Sequence, residues 1–203
     1  MPNKFKTREE WLTFVADKLR PHYKKCGYPI PDKVRFGVGF MATGYRSKAI
    51  GECWNVVNSA DKTVEIFIAP SQDKVVKVAG ILAHELVHAA DGNKNGHNRP
   101  FMIACTALGL EGKATQALPS AEMQRTVIDP ILKEAGPLPR KQLSGGVKRK
   151  KQGTRLLKAS CEECGYTVRV TGKWLEAAGA PYCGHKSHGR MACEATEDEG
   201  EGE

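Results

Sequence analysis

Apolar residues recur along this chain in two rhythms. In TREEWLTFVADKLRPHY, Trp11, Phe14, Val15 and Leu19 fall three to four positions apart, the spacing that lines one face of an α-helix. Thr7 stands where a helix cap belongs, and Glu9 and Glu10 fall in the first turn, where the helix dipole favours negative charge. Between residues 33 and 70 the rhythm shortens. KVRFGVGFM, IGECWNVVN and KTVEIFIAP are rich in β-branched and aromatic residues and are divided by the polar breaks TGYRSK and SAD. They predict three strands of a small antiparallel sheet. From about residue 73 to residue 90 the helical spacing returns with Val75, Val78, Leu82, Leu86 and Ala89, and Gly92 with Asn93 supplies a stop. A further helix is predicted from Arg99 or Pro100 to Leu108, with Pro100 in its first turn. SAEMQRTVIDPILKEAG predicts a last helix, interrupted or kinked at Pro130.

Then the composition changes. PLPRKQLSGGVKRKKQGTRLLK holds eight bases, no acids, two prolines and three glycines, which reads as a linker. The chain of 203 residues therefore divides into a domain over residues 1–138, a basic linker over 139–156, a small module over 157–193 and an acidic tail over 194–203. The tail EATEDEGEGE carries six of the 23 acids, so residues 1–193 hold 31 bases against 17 acids, a net +14 instead of the +8 of the whole chain. A body this basic suits an anionic partner such as nucleic acid. The opening MPNKFKTREEW has no apolar run of the secretory kind, and VVKVAGILAHELVHAA is too short and too interrupted by Lys77, His84, Glu85 and His88 to span a bilayer. No membrane association is expected; the location is intracellular, cytoplasmic or nucleoid-associated (nuclear in a eukaryote).

The chemistry lies in HELVHAADGNKNGHNRPF, residues 84–101. His84 and His88, four apart on one helix, share a face about 5–6 Å apart and can bind one metal ion together. Glu85 follows at roughly 100° around the axis, which sets it beside such a metal and not on it. Neutral imidazole suits zinc, and a catalytic zinc takes three protein ligands with one position open. From six His and sixteen Glu in the chain, composition alone yields about 0.014 matches to HExxH, so chance does not explain the pattern. The metzincin spacing is absent, because Asp91 and Lys94 occupy the positions where that class needs Gly and His. His97 and Glu111 remain as candidate third ligands. His97 is the stronger, since the turn-forming DGNKNG can fold it back over the helix. Asp91 either orients a ligand or simply ends the helix, and Tyr45 and Arg46 are candidates for stabilising an oxyanion, against plain surface residues.

Seven cysteines fall into two kinds. Cys26, Cys53 and Cys105 stand alone among apolar or glycine neighbours and read as small buried residues. Cys161, Cys164, Cys183 and Cys193 crowd into the last quarter. A CxxC pair followed nineteen residues later by a second cluster is the pattern of a structural zinc site. Cys161, Cys164 and Cys183 are three ligands, and the fourth is His188, His185 or Cys193. A module of about forty residues needs such a metal to hold together. At least two of Tyr166, Trp174 and Tyr182 are expected in its small core; exposed, they would stack on bases. Lys148, Arg149, Lys150 and Lys151, with Arg169, Lys173 and Arg190, make either a phosphate-contacting surface or a solvated linker. No base-reading motif is present, so DNA binding would be sequence-independent and salt-sensitive.

The segment HELVHAADGNKNGHNRPF resembles the active-site segment of the SprT-like (Spartan-type) zinc metallopeptidases, whose pattern is HExxH, a short polar loop, and Gly-His before a helix that begins near a phenylalanine. GECW upstream is similar to the family's glycine-bearing strand, IDPILKEAGPLP to the segment closing its catalytic domain, and the C-terminal CGYTVRV…HGRM to its zinc ribbon. The resemblance covers residues 11–191, with only the zinc segment highly specific. It departs at Asn98, where the family often has a second glycine, and by two extra residues in the second knuckle. It implies an α+β fold: a zincin-like catalytic domain (N-terminal helix, small three-stranded sheet, HExxH helix and following helices) plus a zinc-ribbon-like module. It implies one catalytic Zn²⁺ on His84, His88 and His97 with Glu85 as general base, and one structural Zn²⁺, favouring His188 as its fourth ligand. It further implies a metalloprotease acting on DNA-bound or DNA-crosslinked protein substrates, in the manner of DNA repair. The rival expectation is a non-catalytic zinc-binding, nucleic-acid-binding adaptor, which would have no use for Glu85.

Overall fold

The computed structural model describes residues 4–42, 44, 47–143 and 156–193. The chain divides into two compact units, Met1–Gly146 and Val147–Glu203, and each is described by itself.

In the first unit, helix α1 (Arg8–Lys25) starts on a reciprocal cap. The Glu10 backbone N–H donates to the Thr7 hydroxyl at 3.1 Å, and the Thr7 N–H donates to the Glu10 carboxylate at 3.4 Å. Its apolar face buries Trp11, Leu12, Val15, Ala16, Leu19 and Tyr23. Strands β1 (Val34–Val38), β2 (Gly51–Trp54) and β3 (Val64–Ile68) form one sheet in the order β1-β3-β2. The sheet is mixed, not antiparallel throughout: β2 pairs antiparallel with β3, and β1 pairs parallel with it. The reason is topological. β2 turns directly back into β3, which inserts between β2 and β1, so the two strands that run the same way become neighbours.

Helix α2 (Val75–Ala90) is buried without interruption from Val78 to Ala89. A helix covered on every side is central, and α2 touches α1, β2 and β3 as well as the elements that follow. The Tyr23 hydroxyl of α1 donates to the carbonyl of Ala83 at 2.5 Å, fixing α2 one residue before His84. Helix α3 (Arg99–Leu108) is capped by Asn98, whose side-chain oxygen accepts from the Phe101 N–H at 3.3 Å. It stops at Gly109, whose φ of +88° favours glycine and where a Cβ would lie a tight 3.2 Å from Met123 Cβ. The two-residue strands β4 (Leu110–Glu111) and β5 (Leu118–Pro119) pair antiparallel.

The last helical stretch runs α4 (Ala121–Met123), a π-helical turn (Gln124–Ile128) and α5 (Asp129–Ala135). Pro130 does not break it. The wider π turn lies just ahead of the ring, where an α-helical carbonyl would clash with it. The buried Arg8 guanidinium then ties the ends of the unit together, donating to the carbonyls of Gln72 at 2.8 Å and Pro139 at 3.2 Å.

In the second unit, β6 (Leu156–Ser160), β7 (Thr167–Thr171) and β8 (Ala192–Cys193) form an antiparallel sheet in the order β7-β6-β8, with helix α6 (Gly172–Ala178) after β7. Its core is only Ala159, Cys161, Cys183 and Met191, flanked by Val168, Val170 and Cys193. The aromatics expected in that core are outside it: Tyr166, Trp174 and Tyr182 are 54%, 59% and 66% exposed. The module is too thin to bury rings of that size. Among the described residues no helix is long and apolar enough to cross a membrane.

Candidate metal centres

α2 carries His84, Glu85 and His88 into the interior of the first unit, all three buried. The chain then turns sharply through Gly92 and Asn93, with φ of +71° and +56°. Asn93 makes this turn specific: its backbone N–H donates to the His88 carbonyl at 2.7 Å, and its side-chain amide donates to the Cys53 carbonyl on β2 at 2.8 Å. The Asn55 side chain adds a bond to the Gly92 carbonyl at 2.9 Å. The loop is thus clasped to β2, and His97 returns over the helix.

The Nε2 atom of His97 lies 3.3 Å from that of His84 and 3.2 Å from that of His88. Ligand nitrogens 2.0–2.1 Å from a tetrahedral zinc stand about 3.3–3.4 Å apart, so the three imidazoles have the spacing of a coordination sphere. Their protonation fits as well. His84 Nδ1 pairs with the Ala117 carbonyl at 3.0 Å, which leaves Nε2 as the lone-pair nitrogen. Burial, aided by His84 and His97, pushes His88 down to about 3, and burial lowers His84 too. Neutral imidazole is the form that binds metal. Phe101 stacks on the His88 ring at 4.1 Å and holds its plane. Glu111, the other candidate, is exposed on β4 and lies outside the cluster.

Glu85 is not among the grouped ligand atoms. It faces a cleft of about 790 Å³ whose walls include β2, the three histidines and residues 115–118. Burial pushes its carboxyl up to about 8, with Glu52 adding to the rise. β2 reaches this carboxylate only because residue 51 is glycine: a Cβ there would sit 2.5 Å from Glu85 Oε1 and 2.6 Å from Ile81 Cγ2. Gly51→Ala is expected to destabilise the first unit by about 1–3 kcal/mol through overpacking. Urea denaturation of both proteins measures it, and an unchanged midpoint would show that β2 has slack.

In the second unit, four side chains converge. Cys161 Sγ and His188 Nδ1 are 3.5 Å apart, Cys164 and Cys183 Sγ 3.6 Å, and Cys183 Sγ and His188 Nδ1 3.6 Å. Three thiolates and one imidazole around a tetrahedral zinc give edges of about 3.5–3.8 Å. Backbone N–H groups, Cys164 first, hold the Cys161 thiol down to about 7, toward the ligating thiolate. Of the three candidates for the fourth position, only His188 joins. His185 stacks on the His188 ring at 4.6 Å, and Cys193 turns toward the Met191 carbonyl.

Both clusters can therefore hold a metal ion. Tyr45 and Arg46, and the basic run Lys148, Arg149, Lys150 and Lys151, lie outside the described residues. The clasp by Asn93 and the carbonyl of Ala117 had no signature in the sequence; Gly51 had one, as the glycine of GECW. Comparison with family models, with curated proteins and with solved structures returns no match.

Proposed function

We propose that the chain is a zinc-dependent endopeptidase of the SprT-like type that acts on proteins bound or crosslinked to DNA. One observation carries the catalytic half of this reading. Three imidazole nitrogens converge at zinc-ligand spacing while a buried carboxylate, Glu85, stands beside them and not among them, facing a cleft. A site built only for structure would close its fourth position with a ligand. His84, His88 and His97 would hold a zinc ion, which when bound would acidify a water to a pKa near 7 and polarise the scissile carbonyl. Glu85 would accept a proton from water and return it to the leaving amine, so that water and one amide become an acid and an amine. β2 forms the rim as an edge strand, along which an extended chain can lie.

The second cluster is, on this reading, a structural zinc closed by four protein ligands within a ribbon-like module. The module presents an aromatic and basic surface: Lys173 lies 5.9 Å from the Trp174 ring, and Arg190 lies over Tyr182 and donates to its hydroxyl at 3.2 Å. Exposed rings stack on unpaired bases of any sequence, and the cations meet phosphate. Lys148, Arg149, Lys150 and Lys151 extend the same charge in sequence.

The test uses the zinc-loaded full chain on one protein in two states, free and crosslinked to single-stranded DNA. Cleavage of the crosslinked form is expected, and Trp174→Ala should weaken binding to that DNA by about 1–3 kcal/mol, roughly 5- to 150-fold. A fully loaded chain that cuts neither form would overturn the peptidase reading in favour of a zinc-binding adaptor. Undiminished DNA binding by Trp174→Ala would remove the stacking surface.

A further inference from the structure

Two buried polar groups at the end of α2 have no partner: Nδ1 of His88 and both carboxylate oxygens of Asp91. Either alone is costly in a protein interior, and a bare carboxylate most of all. Asp91 is also at the wrong end of its helix. It is the C-cap of α2, where the helix dipole repels negative charge. A plain helix-end residue would turn such a side chain to solvent, yet these oxygens are inside.

Among the described residues no cation bonds to Asp91. α3 lies along α2 so that Phe101 covers the His88 ring, and Cys105 follows Phe101 by one turn. Cys105 and Cys53 both respond to the Asp91 charge: burial, with Asp91 adding, raises Cys105 to about 11, and burial, Glu85 and Asp91 together raise Cys53. A thiol, neutral or ionised, carries no positive charge with which to balance a carboxylate. His88 and Asp91, three apart, are neighbours on the helix surface.

We propose that Asp91 is a positioning residue for the histidine centre, accepting the Nδ1–H of His88 when a metal occupies Nε2. The inference rests on reading that cluster as a metal centre. Histidine ligands donate their second ring N–H to a carboxylate or carbonyl, which fixes the tautomer and strengthens the donor nitrogen. His84 has the Ala117 carbonyl for this purpose. His88 Nδ1 has no acceptor, and the Asp91 oxygens, three residues on, have no donor.

The test is zinc affinity of the full chain by competition with a chromophoric chelator, comparing the parent with Asp91→Asn and Asp91→Ala. The expected result is 10- to 100-fold weaker binding at one of two sites, the larger loss in the alanine variant, with the cysteine site unchanged. Long-range ¹H–¹⁵N spectra of the zinc-loaded parent should show a protonated, slowly exchanging His88 Nδ1, and this second readout does not depend on any variant folding. Equal affinity in parent and variants, or a His88 Nδ1 proton in free exchange with water, overturns the proposal. A parent that takes up zinc only at the cysteine site fails at the earlier step, the metal-centre reading itself.

Discussion

Glu85→Gln is expected to leave both metal centres loaded while lowering peptide-bond cleavage by about 10²–10⁴-fold, the range of general acid–base catalysis. The carboxamide keeps the shape of the side chain but cannot take a proton from water. Metal retention follows from position, since Glu85 is not among the grouped ligand atoms. Folding is not threatened either. The carboxyl is buried and its ionised form is disfavoured by that burial and by Glu52, so a neutral amide suits the site at least as well. Zinc content per chain and turnover of a DNA-crosslinked substrate, measured on the same preparation, decide the matter. A Gln variant that cuts like the parent would mean that Glu85 is not the base.

Stripping metal from the second unit is expected to unfold it outright. Among the described residues four buried side chains make its core, and two of them are the candidate ligands Cys161 and Cys183. So small a core cannot offset the entropy of ordering about forty residues, whereas a structural zinc contributes about 10–16 kcal/mol to folding. Cys183→Ser should therefore collapse the amide dispersion of β6 and β7 in a two-dimensional NMR spectrum. Signals from α1 and β3 should stay where they are, because their core of large apolar residues is separate. DNA binding should be lost with the module. A metal-free second unit with native dispersion would contradict this account.

How much of this was legible in the sequence depended on whether the information was local. The cap at Thr7, the apolar face of α1 and the pairing of His84 with His88 are all set within one or two helical turns, and the residues declare them. His97 was legible through its loop, since glycines and asparagines are what a tight return needs. The parallel partnership of β1 with β3 was not, because alternating apolar residues specify a strand but not its neighbour. The exposed Tyr166, Trp174 and Tyr182 misled for another reason: a ring reads as core-forming until the thinness of the module is known. The fourth cysteine-site ligand was left open among His185, His188 and Cys193 by the residues alone, each being a possible zinc ligand, and only the family resemblance favoured His188, which joins the cluster. Asn93 acts across the gap between α2 and β2, a distance no local pattern spans, and Gly51 was marked only through the resemblance of GECW.

The clasp of Asn93 and Asn55 onto the loop has a consequence for how a metal is acquired. His84 and His88 are buried on α2, so the larger part of the entropy lost on coordinating an ion would fall on the loop that carries His97. Hydrogen bonds to the backbone carbonyl of Cys53 on β2 and from the side chain of Asn55 just after it restrain that loop. The same short strand thus preorganises the third ligand and offers its outer edge to an extended chain. On the proposed function, a chain lying on the rim and an ion held by His97 would both bear on β2, whose Cys53 carbonyl holds Asn93.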